Sequence, residues 1–326
     1  MAKKSVANMD ETSAKLKAAQ AALGAVVFGQ EGVIDLALIA ILAGGHGLIV
    51  GAPGLAKTKL AASLGTVLGL DEKRIQFTPD LMPGDILGSE ILEEGEKGKR
   101  SFRFVQGPVF AQLVMADEIN RASPRTQSAL LQAMQEHEVT VAGVHHQLPE
   151  PFHVLATQNP IEQEGTYPLP EAQLDRFLMQ IDISYPSLEA ERQMLFATTG
   201  NGEDPANAVF TVDELKTAQR LTREVPVGEQ VTNAILKVVR AARPGADAAS
   251  FINEAVAWGP SPRAAQSLML CCKARALLQG RLSPSVEDVV ALLEPVFKHR
   301  MALNFAARAD GVTVSAIIAK LAQTLA

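Results

Sequence analysis

The chain has 326 residues, enough for two domains and a substantial core. A hydrophobic content of 47% with 20% charged residues is that of a soluble globular protein. The formal charge of −6 gives no basis for a general affinity for nucleic acid or anionic membrane.

The N-terminus (Ala2-Lys3-Lys4-Ser5) lacks the apolar core of a signal peptide. The longest apolar run, residues 36–45, is too short to span a bilayer, so the chain is read as cytoplasmic. Residues 11–23 read as a helix rich in alanine and lysine. After Val26-Val27-Phe28-Gly29-Gln30 a second helix follows over 31–43, with Val33, Leu36, Ala37, Ala40 and Ile41 at helical spacing. Residues 27–30 either pack on a nucleotide base or are plain core.

The next stretch organises the rest. A short apolar strand, Leu48-Ile49-Val50, runs into Gly51-Ala52-Pro53-Gly54-Leu55-Ala56-Lys57-Thr58. Strand, glycine-rich loop and helix start together make a phosphate cradle. Backbone N–H groups and the helix N-terminus face the anion, and Lys57 adds a full charge. The Thr58 hydroxyl is then a ligand for Mg²⁺ on the phosphates. Ala56 replaces the glycine usual before the lysine. Alanine tolerates the helical dihedrals expected at a helix start, so the loop reads as a variant.

Residues 74–78 read as a second strand. A helix begins at 83–87 without continuing, and a hairpin follows with Gly95 and Gly98 in its turn and Phe102-Arg103-Phe104-Val105 as its return strand. Helical pattern resumes at about 108–112. The hairpin faces a partner or pore, or is a solvated surface feature.

Leu113-Val114-Met115-Ala116-Asp117-Glu118 is a strand buried on both faces that ends in two acids. Ligands of open α/β sheets bind at such C-terminal ends. Asp117 is placed to hold Mg²⁺ through its water shell and Glu118 to take a proton from the attacking water. Asn120 and Ser123 open a helix with Pro124 at its first position, ending near His137. A second hairpin spans 139–148. Four of the six histidines lie between 137 and 153, but neighbouring strand residues point to opposite faces, which disfavours a metal site.

Phe152-His153-Val154-Leu155-Ala156-Thr157-Gln158-Asn159 is another buried strand, with Asn159 at its edge to orient the lytic water or touch the γ-phosphate. The short helix 170–177 and the strand 178–183 complete a parallel sheet of about five strands with helices on both faces. Beyond Pro186 the β pattern disappears. A linker at 200–205 leads to helices from Thr211, over 231–240, from Ser261 as cap with Pro262 first, over 283–293 and over 314–325. The cysteines Cys271 and Cys272 are adjacent in the apolar pattern of that long helix. They read as small core residues of a reducing compartment. The predicted boundary between the nucleotide-binding core (1–186) and the helical domain (187–326) falls at Pro186.

The loop 51–58, Ala116-Asp117-Glu118-Ile119-Asn120-Arg121, Ala156-Thr157-Gln158-Asn159-Pro160 and Leu169-Pro170-Glu171-Ala172-Gln173-Leu174-Asp175-Arg176-Phe177 together resemble the MoxR family of AAA+ ATPases. The resemblance runs from about Phe28 to Arg300. It implies a P-loop NTPase core with a helical lid, ATP and Mg²⁺ as ligands, and an ATPase activity. By resemblance, residues 51–58 are Walker A, Asp117-Glu118 Walker B, Asn159 sensor 1 and Arg263 sensor 2. Arg176 is the implied arginine finger on a neighbouring subunit's nucleotide, which makes a ring, usually a hexamer, the working form. The hairpins match the helix-2 and pre-sensor inserts. Family members are similar to chaperones that assemble or activate client proteins, often beside separate von Willebrand A domain partners. The competing expectations are a chelatase-like motor, a nucleic-acid motor and a slow nucleotide-gated scaffold. The first needs a metal-inserting partner. The second is disfavoured by the acidic balance and the lack of an aromatic stacking platform, and the third by Glu118, since a pure switch needs no base. On the residues alone, Arg176 could instead pair with Asp175, and Arg263 could be an ordinary surface arginine.

Overall fold

The computed structural model describes residues 2–94, 100–161, 165–199, 206–246 and 248–325, with the side chains of its first helix described from residue 9. The turn glycines Gly95 and Gly98 and the linker at 200–205 lie outside the described residues.

The chain opens with α1 (Ala2–Gly24), which starts earlier than its pattern suggests, and α2 (Glu31–Leu42). The nucleotide core continues with β1 (Gly47–Val50), α3 (Lys57–Leu68), β2 (Glu72–Gln76), α4 (Pro83–Leu87) and the hairpin β3 (Gly88–Glu94) with β4 (Arg100–Gln106). Then come β5 (Leu113–Asp117), α5 (Pro124–Glu136), the hairpin β6 (Glu138–Val141) with β7 (Val144–Gln147), β8 (His153–Gln158), α6 (Glu171–Leu174) and β9 (Met179–Asp182). Five strands pair in parallel in the order β2-β5-β8-β1-β9. This is the expected α/β architecture, and its order brings the ends of β1, β8 and β5 side by side.

Strand alternation divides the interior into two cores. Ile49, Leu113, Met115, Leu155, Met179 and Ile181 face one, while Leu48, Ile75, Val114, Ala116, Val154 and Ala156 face the other. Both faces being apolar explains the unbroken hydrophobic runs of β5 and β8. The second core is closed by α5 through Leu130, Leu131 and Met134. Stacking of Phe104 on His146, with ring centroids 4.0 Å apart, ties the two hairpins together.

Two local expectations are corrected. Residues 108–112 form turns rather than helix, because their amides are used across the chain: Val109 N–H donates to the Ile86 carbonyl and buries Val109 and Ala111. Asn120 sits in a 3₁₀ turn, Ile119–Arg121, and does not open α5. Ser123 alone caps α5, its hydroxyl accepting from the Thr126 amide.

The C-terminal part is helical: α7 (Leu188–Thr198), α8 (Val212–Glu224), α9 (Glu229–Ala241), α10 (Ser250–Ala255), then α11 (Pro262–Leu278), α12 (Val286–Phe297), α13 (Phe305–Ala309) and α14 (Val314–Gln323). It departs from an all-helical reading in one small ladder. Here β10 (Val256–Trp258) pairs antiparallel with β11 (Ala302–Leu303), too short to leave a period in the sequence. Ser261 caps α11 by accepting from the Arg263 amide. The thiols of Cys271 and Cys272 are fully buried, and burial pushes the Cys271 thiol up to about 12. Among the described residues no helix is long and apolar enough to cross a membrane.

The lid is not a separate body hung on the core. Leu16, Leu23, Ile34, Leu38 and Leu64 of the first three helices belong to the same apolar cluster as Leu215, Val238, Leu268 and Leu292 of the lid. One polar joint reinforces this. Arg300, only 1% exposed, donates through Nε to Asp175 Oδ1 at 2.7 Å and through its other nitrogens to the carbonyls of Phe177, Leu178 and Val296 and to the Ser267 hydroxyl. Asp175 Oδ2 accepts from the hydroxyl of Ser261 at 2.9 Å. Removing the carboxylate strands a buried cation, so Asp175→Ala should cost about 3–5 kcal/mol, read as a lowered denaturation midpoint.

Burial holds three histidines neutral among the described residues, and two of them, His46 and His153, anchor β8. His46 Nδ1 accepts from the Val154 amide while Nε2 donates to the Met134 carbonyl. His153 Nδ1 donates to the Gly45 carbonyl and Nε2 accepts from Gln219. Burial, then the neighbouring His153, lowers His46 to about 3, and burial lowers His153 to about 4. The unfolded chain therefore binds protons first as pH falls. Stability should fall as pH is lowered from about 6.5 to 4, by up to about 1.4 kcal/mol per pH unit for each ring, read as a falling melting temperature. A His46→Gln/His153→Gln variant should lose the share of that slope due to these two rings, the part from His299, which burial also holds low, remaining.

Candidate active site at the sheet edge

The P-loop leaves β1 with Gly51 N–H donating to the Gln158 carbonyl at 3.3 Å, which fixes the loop to the end of β8. Gly51 must be glycine, since a Cβ there would lie 2.8 Å from the Ile183 carbonyl oxygen. Gly54 has φ +82°. Ala56 is the correction: it caps α3 in the left-handed region (φ 59°, ψ 20°) rather than with helical dihedrals. Glycine would hold that conformation without the strain that alanine bears, of about 1–2 kcal/mol. Lys57 is buried and its ammonium donates to the Gly51 carbonyl at 2.7 Å, folded over the loop it is expected to charge. Thr58 is exposed on the first turn of α3.

A cavity of about 360 Å³ opens beside this loop. Pro53, Gly54, Leu55 and Ala56 line one side and Phe28 and Gln30 another, so those two of the residues expected around the base are in place. Gln30 is anchored by donation to the Ser184 carbonyl. Gly29 does not line the cavity. Its absent Cβ makes room for Ala190, which a side chain would meet at 2.4 Å. The far wall comes from Tyr185, Glu191, Met194 and Thr198, none of which the sequence reading singled out. Their only signal is position, directly after the last sheet strand.

At the end of β5 both carboxylates are tightly dressed. The Thr157 hydroxyl donates to Asp117 Oδ1 at 2.6 Å and accepts from the Glu118 amide at 2.8 Å, so one side chain of β8 positions both acids. Arg74 donates from Nη2 (2.6 Å) and Nε (3.1 Å) to Asp117 Oδ2. Glu118 Oε2 accepts from Gln76 at 2.8 Å and Arg121 at 2.9 Å. Glu118 is itself left-handed (φ 55°), a strained conformation of the kind that clusters at functional sites. Asn159, one residue beyond β8, is buried, with Oδ1 accepting from the Ile161 amide at 3.1 Å. Its one described bond is that of a turn, the bland alternative for a strand-end asparagine. Thr157, Arg74 and Gln76 were not foreseen, because their roles depend on strand register: Gln76 lies opposite Asp117. Arg121 was not foreseen either, although it meets Glu118 locally, three residues on.

The donor chemistry fits Mg²⁺. A carboxylate and a threonine hydroxyl are hard oxygen ligands, and among the described residues there is no cluster of three or more His, Cys, Asp or Glu that would suit a softer metal. The Asp117 corner also already accommodates a positive group, the Arg74 guanidinium.

The two arginines lie elsewhere. Arg176 and Arg263 line one cavity of about 260 Å³, which shares no residue with the cavity at the P-loop. Arg176 does not pair with Asp175, which is taken by Arg300 and Ser261. Its Nη1 donates to the Leu131 carbonyl at 2.6 Å. Arg263 is exposed at the start of α11.

Comparison with known proteins agrees with this picture. A family model described as the ATPase family associated with various cellular activities (AAA) matches residues 46–179, and one described as an AAA lid domain matches 248–321. Chaperone MoxR1 of Mycobacterium tuberculosis is 38% identical over 92% of this chain and 79% of its own length. Protein MoxR of Paracoccus denitrificans is 32% identical over 91% of each chain. A Cytophaga hutchinsonii crystal structure, described there as a candidate ATPase, superposes with a TM-score of 0.90 at 36% identity, over 98% of this chain and 97% of that one. Sharing fold, lid and nearly full-length similarity with these proteins, the chain belongs to the MoxR family of AAA+ ATPases.

Proposed function

We propose that the chain hydrolyses ATP as a ring of identical subunits and spends the resulting motion on remodelling or activating a separate client protein. The observation that carries this reading is the division of the functional residues over two places. P-loop residues line one cavity, and Asp117, Glu118 and Asn159 stand at the ends of β5 and β8, next to the strand that feeds the loop, whereas Arg176 and Arg263 open together on a different cavity. A site built that way is completed when one subunit presents its arginines to the nucleotide of the next.

In this mechanism the P-loop amides and Lys57 bind the phosphates, with Lys57 exchanging the Gly51 carbonyl for phosphate oxygen. Thr58 and Asp117 would hold Mg²⁺, which supplies charge neutralisation for the transferred phosphoryl group. Glu118 accepts the proton of the attacking water and Asn159 orients that water. Arg176 stabilises charge in the transition state from across the interface, and Arg263 reports the event to the lid. The Asp175 joint favours such a report, because the residue beside Arg176 is bonded both to the cap of α11 and to Arg300. The client role rests on the relatives named MoxR and Chaperone MoxR1.

Glu118→Gln should still bind ATP while turnover falls by about 10²–10⁴-fold, measured by nucleotide-binding fluorescence beside phosphate release. Turnover per chain should rise with protein concentration. Arg176→Ala should lower it by about 10³-fold or more and should poison mixtures with the unaltered protein. A flat rate, undiminished in the mixture beyond simple dilution, would mean that each chain works alone and would remove Arg176 from the reaction.

A further inference from the structure

The edge strand β2 carries a residue whose position no motif announces. Ile75 points into the core closed by α5, so Arg74 and Gln76, one residue to either side, project from the opposite face, the one covered by α3. That face also carries Asp117, whose Oδ2 takes two N–H groups from Arg74, while Oδ1 is held by Thr157. Both oxygens of the carboxylate are thereby engaged, Oδ2 by two N–H groups and Oδ1 by a hydroxyl. The pair is asymmetric: the Arg74 side chain is 48% exposed and that of Asp117 only 11%. The cation can withdraw into water, and the carboxylate, fixed by Thr157, stays where it is.

We propose that Arg74 is the counter-ion of Asp117 in the nucleotide-free state and is exchanged for a divalent cation when nucleotide loads, so that Arg74 sets the Mg²⁺ concentration at which the site fills. The inference rests on Asp117 being the metal-side carboxylate. A hydrated Mg²⁺ presents water protons to a carboxylate oxygen, and the oxygen facing solvent here is the one that Arg74 occupies. The two therefore compete for Oδ2. The exchange reaches Glu118 as well. Arg74 Nη2 donates to Gln76 Oε1 at 2.7 Å, and Gln76 Nε2 donates to Glu118 Oε2 at 2.8 Å. Withdrawal of the guanidinium leaves the Gln76 amide without that donor and loosens its hold on Glu118 as the metal arrives.

The test is a Mg²⁺ titration of the full chain with a fluorescent, non-hydrolysable ATP analogue at fixed ionic strength, so that binding is read without turnover. Arg74→Gln and Arg74→Ala are compared with Arg74→Lys, which keeps the charge but loses the two-pronged contact. Melting curves verify that each variant is folded. A half-exposed pair of this kind should shift the Mg²⁺ midpoint by about 2–5-fold. The expected result is a lower midpoint for the Gln and Ala variants, with Lys in between. An unchanged midpoint would make Arg74 a spectator, and a higher one would make it a partner of the loaded state; either overturns the proposal. Asp117→Asn separates the two layers of the argument. If it leaves the Mg²⁺ dependence intact, the assignment of Asp117 to the metal fails. If it abolishes that dependence while the Arg74 variants do not move, only the role of Arg74 fails.

Discussion

The parallel alignment of β5 beside β8 is the constraint on which the site depends. It sets Thr157 within reach of both Asp117 and Glu118, and a single hydroxyl donates to one and accepts from the backbone of the other. Neither acid would hold its direction at the end of an apolar strand without such a partner, since a carboxylate leaving the core has no intrinsic orientation. The same alignment puts the Gln158 carbonyl beneath Gly51, so P-loop and acid pair are referenced to one strand. Burial of β5 and β8 on both faces keeps that strand from shifting register, because a slip of one residue would exchange the two cores.

Much of this could be read from the residues in order. Glycines, a lysine and a threonine after a short apolar strand carry their chemistry locally, and so do two acids closing a buried strand. The lid helices were equally legible where a cap announces them, as at Ser261-Pro262. What was not legible depends on contacts between distant segments. Arg74 and Gln76 look like ordinary polar residues of an edge strand until register places them against Asp117 and Glu118. The wall formed by Tyr185 and Met194 has no pattern beyond being apolar and next in line. Residues 108–112 carry helix-compatible side chains, yet the Val109 amide is claimed by Ile86 of α4 and the Gln112 amide by Asp71. Ala56 misled for a different reason: a small residue at a helix start gives no sign that its backbone is left-handed.

Arg300 shows how the lid is joined to the chemistry. A guanidinium with almost no solvent contact is tolerated because its donors are used by one carboxylate, a hydroxyl and a ring of carbonyls. The segment between Asp175 and Leu178, where Arg176 sits, is thus wrapped around a lid residue. In the proposed ring, any displacement of Arg176 would pull on a segment that is bonded to the lid at several points, and a rigid joint of that kind transmits motion better than a hinge would.

The core shared by α2 and the lid has a consequence for synthesis. Eight of the twelve residues of α2 are apolar and buried, and part of their cover is α11, which lies roughly two hundred residues later in the chain. At about 5–20 residues per second, α2 is made some ten to forty seconds before that cover exists. During that interval the nascent chain carries its most hydrophobic helix only partly covered. A member of a family that includes a named chaperone therefore has, in its own second helix, a segment that needs shielding while the chain is being born.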